Sequence, residues 1–174
     1  TSMLSNGAFG GAISGATARA FGGKNLHLAE CIFRSAILIS LLGALLMMLL
    51  FFSISERFFI FMKIDQEVSS AALSYGNILL GGIFLIWLFN IIISITRGSG
   101  NTIMPAFSWL IVLSSHVLLA SFNFNYLDGN FILKNNVVFL SENYLFNSLE
   151  WSAISLLSGY FFGLVFIFGF YLFG

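Results

Sequence analysis

Charge is missing from five long stretches of this sequence: Thr1–Ala18, Ser35–Ser55, Val68–Thr96, Gly98–Leu127 and Trp151–Gly174. A membrane-spanning helix needs roughly 20 apolar residues, because the hydrocarbon core is about 30 Å thick and a helix rises about 1.5 Å per residue. Four of the runs reach that length. The first is slightly short and rich in Gly, Ala and Ser. Only 8% of the 174 residues are charged and 59% are hydrophobic. A soluble domain carries roughly 25% charged residues to cover its surface. The solvent this chain expects is therefore lipid. Only helices and closed β-barrels satisfy the backbone there. Barrel strands alternate apolar and polar positions, whereas Leu41–Phe52 is apolar almost throughout. The reading is an all-α, polytopic transmembrane helix bundle of about five spanning helices, at about 2–20, 31–54, 70–96, 103–124 and 150–173.

Several classes fall away at once. The single cysteine, Cys31, excludes an internal disulfide. Net charge is zero, so no nucleic-acid partner is suggested. The first segment lacks the basic start of a signal peptide. A chain that begins at Thr1 and ends inside an apolar run reads as a piece of a longer one, so the remainder of the same chain is an expected partner, with membrane lipid. His27, Glu30 and Cys31 supply too few suitable ligands for zinc. No phosphate-binding glycine turn of the ATPase type is present. No enzymatic constellation and no cofactor follow from the sequence.

The connections differ in character. Arg19–Glu30 is short and basic. Ser55–Ser69 carries Glu56, Arg57, Lys63, Asp65 and Glu67. Arg97–Thr102 is a tight Gly-rich turn. Asn125–Leu149 is long and Asn-rich, with room for a short interfacial helix or a hairpin. The first and third hold Arg19, Lys24, Arg34 and Arg97 against one acid, Glu30. The second and fourth, with the flanking Glu150, hold Arg57, Lys63 and Lys134 against six acids. Basic residues stay on the cytoplasmic side, which puts the first and third connections there.

In the first helix Gly7, Gly11, Gly15, Ala18 and Gly22 form one stripe, a surface for close helix packing. Ser152, Ser155, Gly159 and Gly163 form another on the last. Gly22 and Gly23 can supply a left-handed helix cap. In the third run Tyr75, Ile78, Gly82 and Asn90 lead to Arg97-Gly98-Ser99-Gly100-Asn101-Thr102, with Pro105 three residues on. Gly98 and Gly100 permit a sharp reversal, Asn101 or Thr102 can cap the next helix, and Pro105 fits a first helical turn.

With Gly11-Ala12-Ile13-Ser14 and Ala20-Phe21-Gly22-Gly23-Lys24-Asn25, these segments resemble the multidrug and toxic compound extrusion (MATE) family. They are similar to the end of its second helix and to the "RGxGDTxxP" turn between its fourth and fifth. The resemblance covers nearly the whole chain, as the second to sixth helices of the amino-terminal lobe. It departs where the Asp of the turn is Asn101, where Ile83 and Phe84 stand in place of a frequent Pro, and where the fifth helix has His116 and Ala120 near the usual Asn and Asp.

Polar groups inside spans are expensive. Trp87, Asn90, Ser94 and Arg97 share one face of their helix. Asn90 is either interhelical glue or part of a cavity wall. His116, beside Ser114 and Ser115, either carries protons or sits neutral, bonded to a serine or a backbone carbonyl. The resemblance implies a secondary-active exporter in the bacterial cell (inner) membrane, multi-pass, with two lobes around a central cavity. It would exchange a cationic or amphipathic organic solute for Na⁺ or H⁺ as coupling ion. Alternatives are a lipid-linked oligosaccharide flippase of the same superfamily and a non-transporting membrane scaffold subunit.

Overall fold

The structure is a computed structural model. It describes the backbone of residue 7 and of residues 9–127, 132–134, 137–139 and 142–173, and side chains up to residue 121 and from 149 to 172. Helices α1 (Gly10–Gly22), α2 (Leu26–Phe61), α3 (Gln66–Gly81), α4 (Ile83–Gly98), α5 (Ile103–Leu127) and α6 (Glu142–Phe173) follow in order. Strands β1 (Ile132–Lys134) and β2 (Val137–Phe139) lie between α5 and α6 and pair antiparallel, Leu133 opposite Val138. The long fourth connection thus holds a hairpin. The fold is the expected all-α bundle.

Three helices are long and apolar enough to cross a membrane: Leu26–Phe61, Ile103–Ser121 and Leu149–Leu172. A fourth span is counted when α3 and α4, bent by 50° at Gly82, are taken together. The expected helix at 70–96 is therefore two helices. The fifth expected span, at 2–20, is described only in part. As described, α1 has 13 residues, about 20 Å at helical rise, which is short of the hydrocarbon core. The second helix is longer than expected. It runs through Glu56 and Arg57, which were assigned to a connection, and stops at Met62. Long side chains carry charge to the interface while the helix continues, and nothing in 55–61 breaks it.

Three helix ends close in the same way. Lys24 N donates to Phe21 O and Asn25 N to Ala20 O after α1. Lys63 and Ile64 repeat this after α2, and Gly100 and Asn101 after α4. This is the Schellman arrangement, which needs one left-handed residue. The left-handed residues are Lys24 (φ 54°), Lys63 (φ 52°) and Gly100 (φ 94°). Gly22 and Gly23 do not supply the cap: Gly22 is helical and Gly23 has φ −80°.

The centre of the bundle is α4, with 11 of its 16 residues buried. It packs against α1, α2, α5 and α6. Side chains seated on glycines set most of the crossings. The Trp87 ring lies over Gly43 of α2, Phe51 of α2 over Gly76 of α3, and Leu157 of α6 over Gly82. Gly98 abuts Ser14 and Thr17 of α1, and Gly159 and Gly163 abut Val112 of α5. Small residues at such crossings let backbones approach and gain van der Waals contact. The last-helix stripe is thus a packing surface. Among the described residues nothing packs on the first-helix stripe. α1 buries Gly10, Ile13, Thr17 and Ala20, whereas a Cβ at Gly7, Gly11 or Gly22 would meet nothing within 4 Å. α2 turns Leu38, Leu42, Leu46 and Leu49 outward, as a lipid-facing helix does.

Candidate functional site

The break at Gly82 starts the polar part of the bundle. It falls one residue before Ile83, where the resemblance leads one to expect Pro. From there α4 carries Trp87, Asn90 and Ser94 inward. Their exposures are 2%, 1% and 0%. Trp87 packs with Ala44 and Ile83, and its ring centroid stands 6.0 Å from that of Phe9. The Ser94 hydroxyl donates to Asn90 O at 2.7 Å. Arg97 emerges exposed at the helix end. The face foreseen for these residues exists, and the described helices enclose its upper three members.

Around this face lie three hydroxyl or indole groups that hold no partner. Thr17 Oγ1 on α1, Ser40 Oγ on α2 and Trp87 Nε1 on α4 are buried and unbonded among the described residues. Thr17 and Ser40 escaped the sequence reading, because a lone hydroxyl on an apolar helix commonly bonds its own backbone. An unsatisfied buried polar atom costs about 1–3 kcal/mol, so polar character is concentrated where α1, α2 and α4 meet.

The turn after α4 performs three separate tasks. Gly98 is still helical, and its bare α-carbon lets α4 lie against the Ser14 carbonyl. It does not form the reversal, contrary to the sequence reading. Gly100 alone supplies the left-handed residue. Asn101 is the cap, its Oδ1 accepting from Met104 N at 3.1 Å. Thr102 is exposed, and Pro105 is buried in the first turn of α5. Beside this turn lies a groove of about 510 Å³ lined by Phe21, Phe33, Ile92, Thr96, Phe168 and Tyr171. Within it the Tyr171 hydroxyl donates to Thr96 Oγ1 at 3.0 Å, across 75 residues of sequence.

His116 stands apart from the α4 face. It lies in the α5–α6 seam, half-buried, with Nδ1 2.9 Å from Ser155 Oγ. Two turns earlier on α5, Trp109 meets Tyr160 of α6 and Phe89 of α4 edge to face, and those two also meet, with ring centroids 6.0, 5.2 and 5.3 Å apart. His27 Nδ1 and Cys31 Sγ approach to 3.9 Å on an exposed face of α2. Among the described residues no group of His, Cys, Asp or Glu could hold a metal ion.

No curated protein and no solved structure matches the chain. The sequence model of the MatE family matches residues 3–122. That interval takes in α1 to α4, the turn from Arg97 to Pro105 and most of α5, but not the hairpin or α6. The expected likeness over nearly the whole chain is thus shown for its first five helices. With more than half of its length matched and its helices apolar enough to cross a bilayer, the chain is an integral membrane protein that belongs to the MatE family of transporters.

Proposed function

We propose that the intact protein is a secondary-active exporter that moves cationic or amphipathic organic solutes out of the cell in exchange for Na⁺ or H⁺. The observation that carries this is the family match across the turn from Arg97 to Pro105. An ion gradient as the energy source goes with that family reading, and the given sequence carries no nucleotide-binding glycine turn. The described helices form part of one lobe, and the rest of the same chain supplies the other. The small face of α1 at Gly11 and Ala18, which no described residue covers, supports the two-lobe reading, since glycine-rich faces in membranes are where helices approach.

The test is efflux of a cationic dye from a cell stripped of its own pumps and expressing the intact gene. Accumulation is expected to fall, and collapse of the ion gradient is expected to abolish the effect. Well-expressed protein that moves no dye across a broad panel would overturn the assignment and favour the flippase.

A further inference from the structure

We propose that the groove beside the α4–α5 turn holds one acyl chain of an anionic phospholipid, with the headgroup of that lipid at Lys24. The site goes beyond the transport reading and does not rest on it.

The groove lies where the ends of three helices meet the start of a fourth. Phe21 comes from the last turn of α1, Phe33 from early in α2, Ile92 to Ser99 from the end of α4, and Phe168 and Tyr171 from the end of α6. Along α4 it runs from Ser99 to Ile92, about 10 Å at helical rise, against about 15 Å for half of the hydrocarbon core. Phe21, Phe33, Phe168 and Tyr171 are exposed, so among the described residues the groove is open toward the bilayer.

Its polar atoms are already committed. Thr96 Oγ1 donates to Ile92 O at 2.8 Å, Ser99 Oγ to Thr96 O at 2.8 Å, and the Tyr171 hydroxyl to Thr96 Oγ1 at 3.0 Å. Each hydroxyl proton is thus used within the protein, and no acidic side chain lines the groove to pair with a cation. Walls of that kind suit hydrocarbon better than a polar or cationic solute.

Hydrocarbon alone gains little by leaving the bilayer for an apolar wall, because lipid tails are as apolar as leucine. The headgroup therefore decides which lipid stays. Lys24 stands three residues past Phe21, and its backbone N–H donates to Phe21 O at 3.0 Å, which fixes it at this end of the groove. Lys24 is exposed. The acid of this end, Glu30, is paired with Arg34, the residue after Phe33, whereas Lys24 makes no ion pair among the described residues. Basic groups between helices at the cytoplasmic face are where anionic headgroups bind, and the expected topology puts this end on that face.

The experiment uses the full-length protein in nanodiscs of phosphatidylcholine with a minor share of phosphatidylglycerol carrying the same chains. A photoactivatable group on the acyl chain of one lipid or the other marks the site, and crosslinked peptides are identified by mass spectrometry. Phosphatidylglycerol should label the segments around Phe33 and Phe168 more strongly than phosphatidylcholine does. Both should label the outward face of α2 at Leu42 and Leu46 equally. Lys24→Gln should lower the phosphatidylglycerol label in the groove about fivefold, the effect of one basic side chain near a membrane surface, and leave the α2 label unchanged. Lys24→Arg should retain the preference. Lys63→Gln, beyond the opposite end of α2, is the control and should change neither label. Raising salt around the unmodified protein should shrink the preference in the same way, a reading that needs no variant. Equal labelling of the groove by both lipids, or a preference that survives both Lys24→Gln and high salt, overturns the proposal. A groove that neither lipid labels also overturns it and assigns the groove to the remainder of the chain. No arm measures efflux, so failure of the transport reading leaves the lipid result standing.

Discussion

Gly98→Ala is the most direct test of the packing described for α4. A Cβ there would lie 2.5 Å from Ser14 O, 2.7 Å from Thr17 Cβ and 3.1 Å from Ser14 Cα. Carbon contacts are comfortable at about 3.5–4.0 Å, so α1 and α4 must part by roughly an ångström. Overpacking of this kind costs about 1–3 kcal/mol. The upper part of that range applies, because two of the three obstructing atoms belong to the backbone of α1. Alanine returns about 0.8–1 kcal/mol of helix propensity. The expected net loss is about 1–2 kcal/mol. Gly22→Ala is the matched control: also helical, with nothing within 4 Å. It should be neutral or stabilising by up to about 1 kcal/mol. Gly100→Ala separates the two uses of glycine in the turn. It meets no atom but sits at φ 94°, and should cost about 1–2 kcal/mol through backbone strain alone. The assay is thermal unfolding of full-length protein in detergent, followed by the monodisperse fraction in size-exclusion chromatography. Gly98→Ala melting at or above Gly22→Ala would refute the close approach of α1 and α4.

Three further outcomes are expected. Gly43→Ala places a Cβ 2.2 Å from Trp87 Cζ3 and should destabilise, while the double change with Trp87→Phe should recover part of the loss; strict additivity in the same melting assay would show that the two residues do not meet. Lys24→Gly and Lys63→Gly relieve left-handed backbone at φ 54° and 52° and should each raise stability by up to about 1 kcal/mol; lowered melting would mean that those lysines contribute through their charge at the helix ends. Cysteines placed at Asn25 and Ser99 in a Cys31→Ser background should resist an impermeant maleimide in intact cells, and one at Asp128 should react. The reversed labelling pattern would invert the topology.

What the sequence reveals is where lipid meets the chain. The uncharged runs locate α2, α5 and α6 because charge is expensive at membrane depth, and that rule acts on each segment alone. It is silent on what happens between segments. The first-helix stripe at Gly7, Gly11 and Gly15 looks like a packing face by spacing. Yet the adjoining face with Gly10, Ile13, Thr17 and Ala20 is the one that α4 covers. Both faces hold small residues, so spacing does not choose between them. The Gly82 break was hidden because the segment is apolar on both sides. His116 and Ser155 were each visible as intramembrane polar residues, but 39 positions separate them, and only the α5–α6 crossing joins them. Thr96 and Tyr171 are a similar case. The glycine turn was legible as a turn, whereas the division of labour between Gly98 and Gly100 depends on the position of α1.

Where α3 and α4 cross as one span, the bend at Gly82 also sets how much bilayer that span needs. α3 and α4 have 16 residues each, about 24 Å apiece at helical rise. Laid straight they would reach about 50 Å with the joining residue, against about 40–45 Å for a bilayer with its headgroup regions. A bend of 50°, shared as equal tilts of the two arms, brings the end-to-end span to about 44 Å at the same rise per residue. Taken as one span, the kinked pair then fits the thickness of the membrane without losing any of its residues. Straightening it would push one end of the segment into water or require the surrounding lipid to thicken, so on that reading the angle at Gly82 ties the shape of this bundle to the width of the bilayer around it.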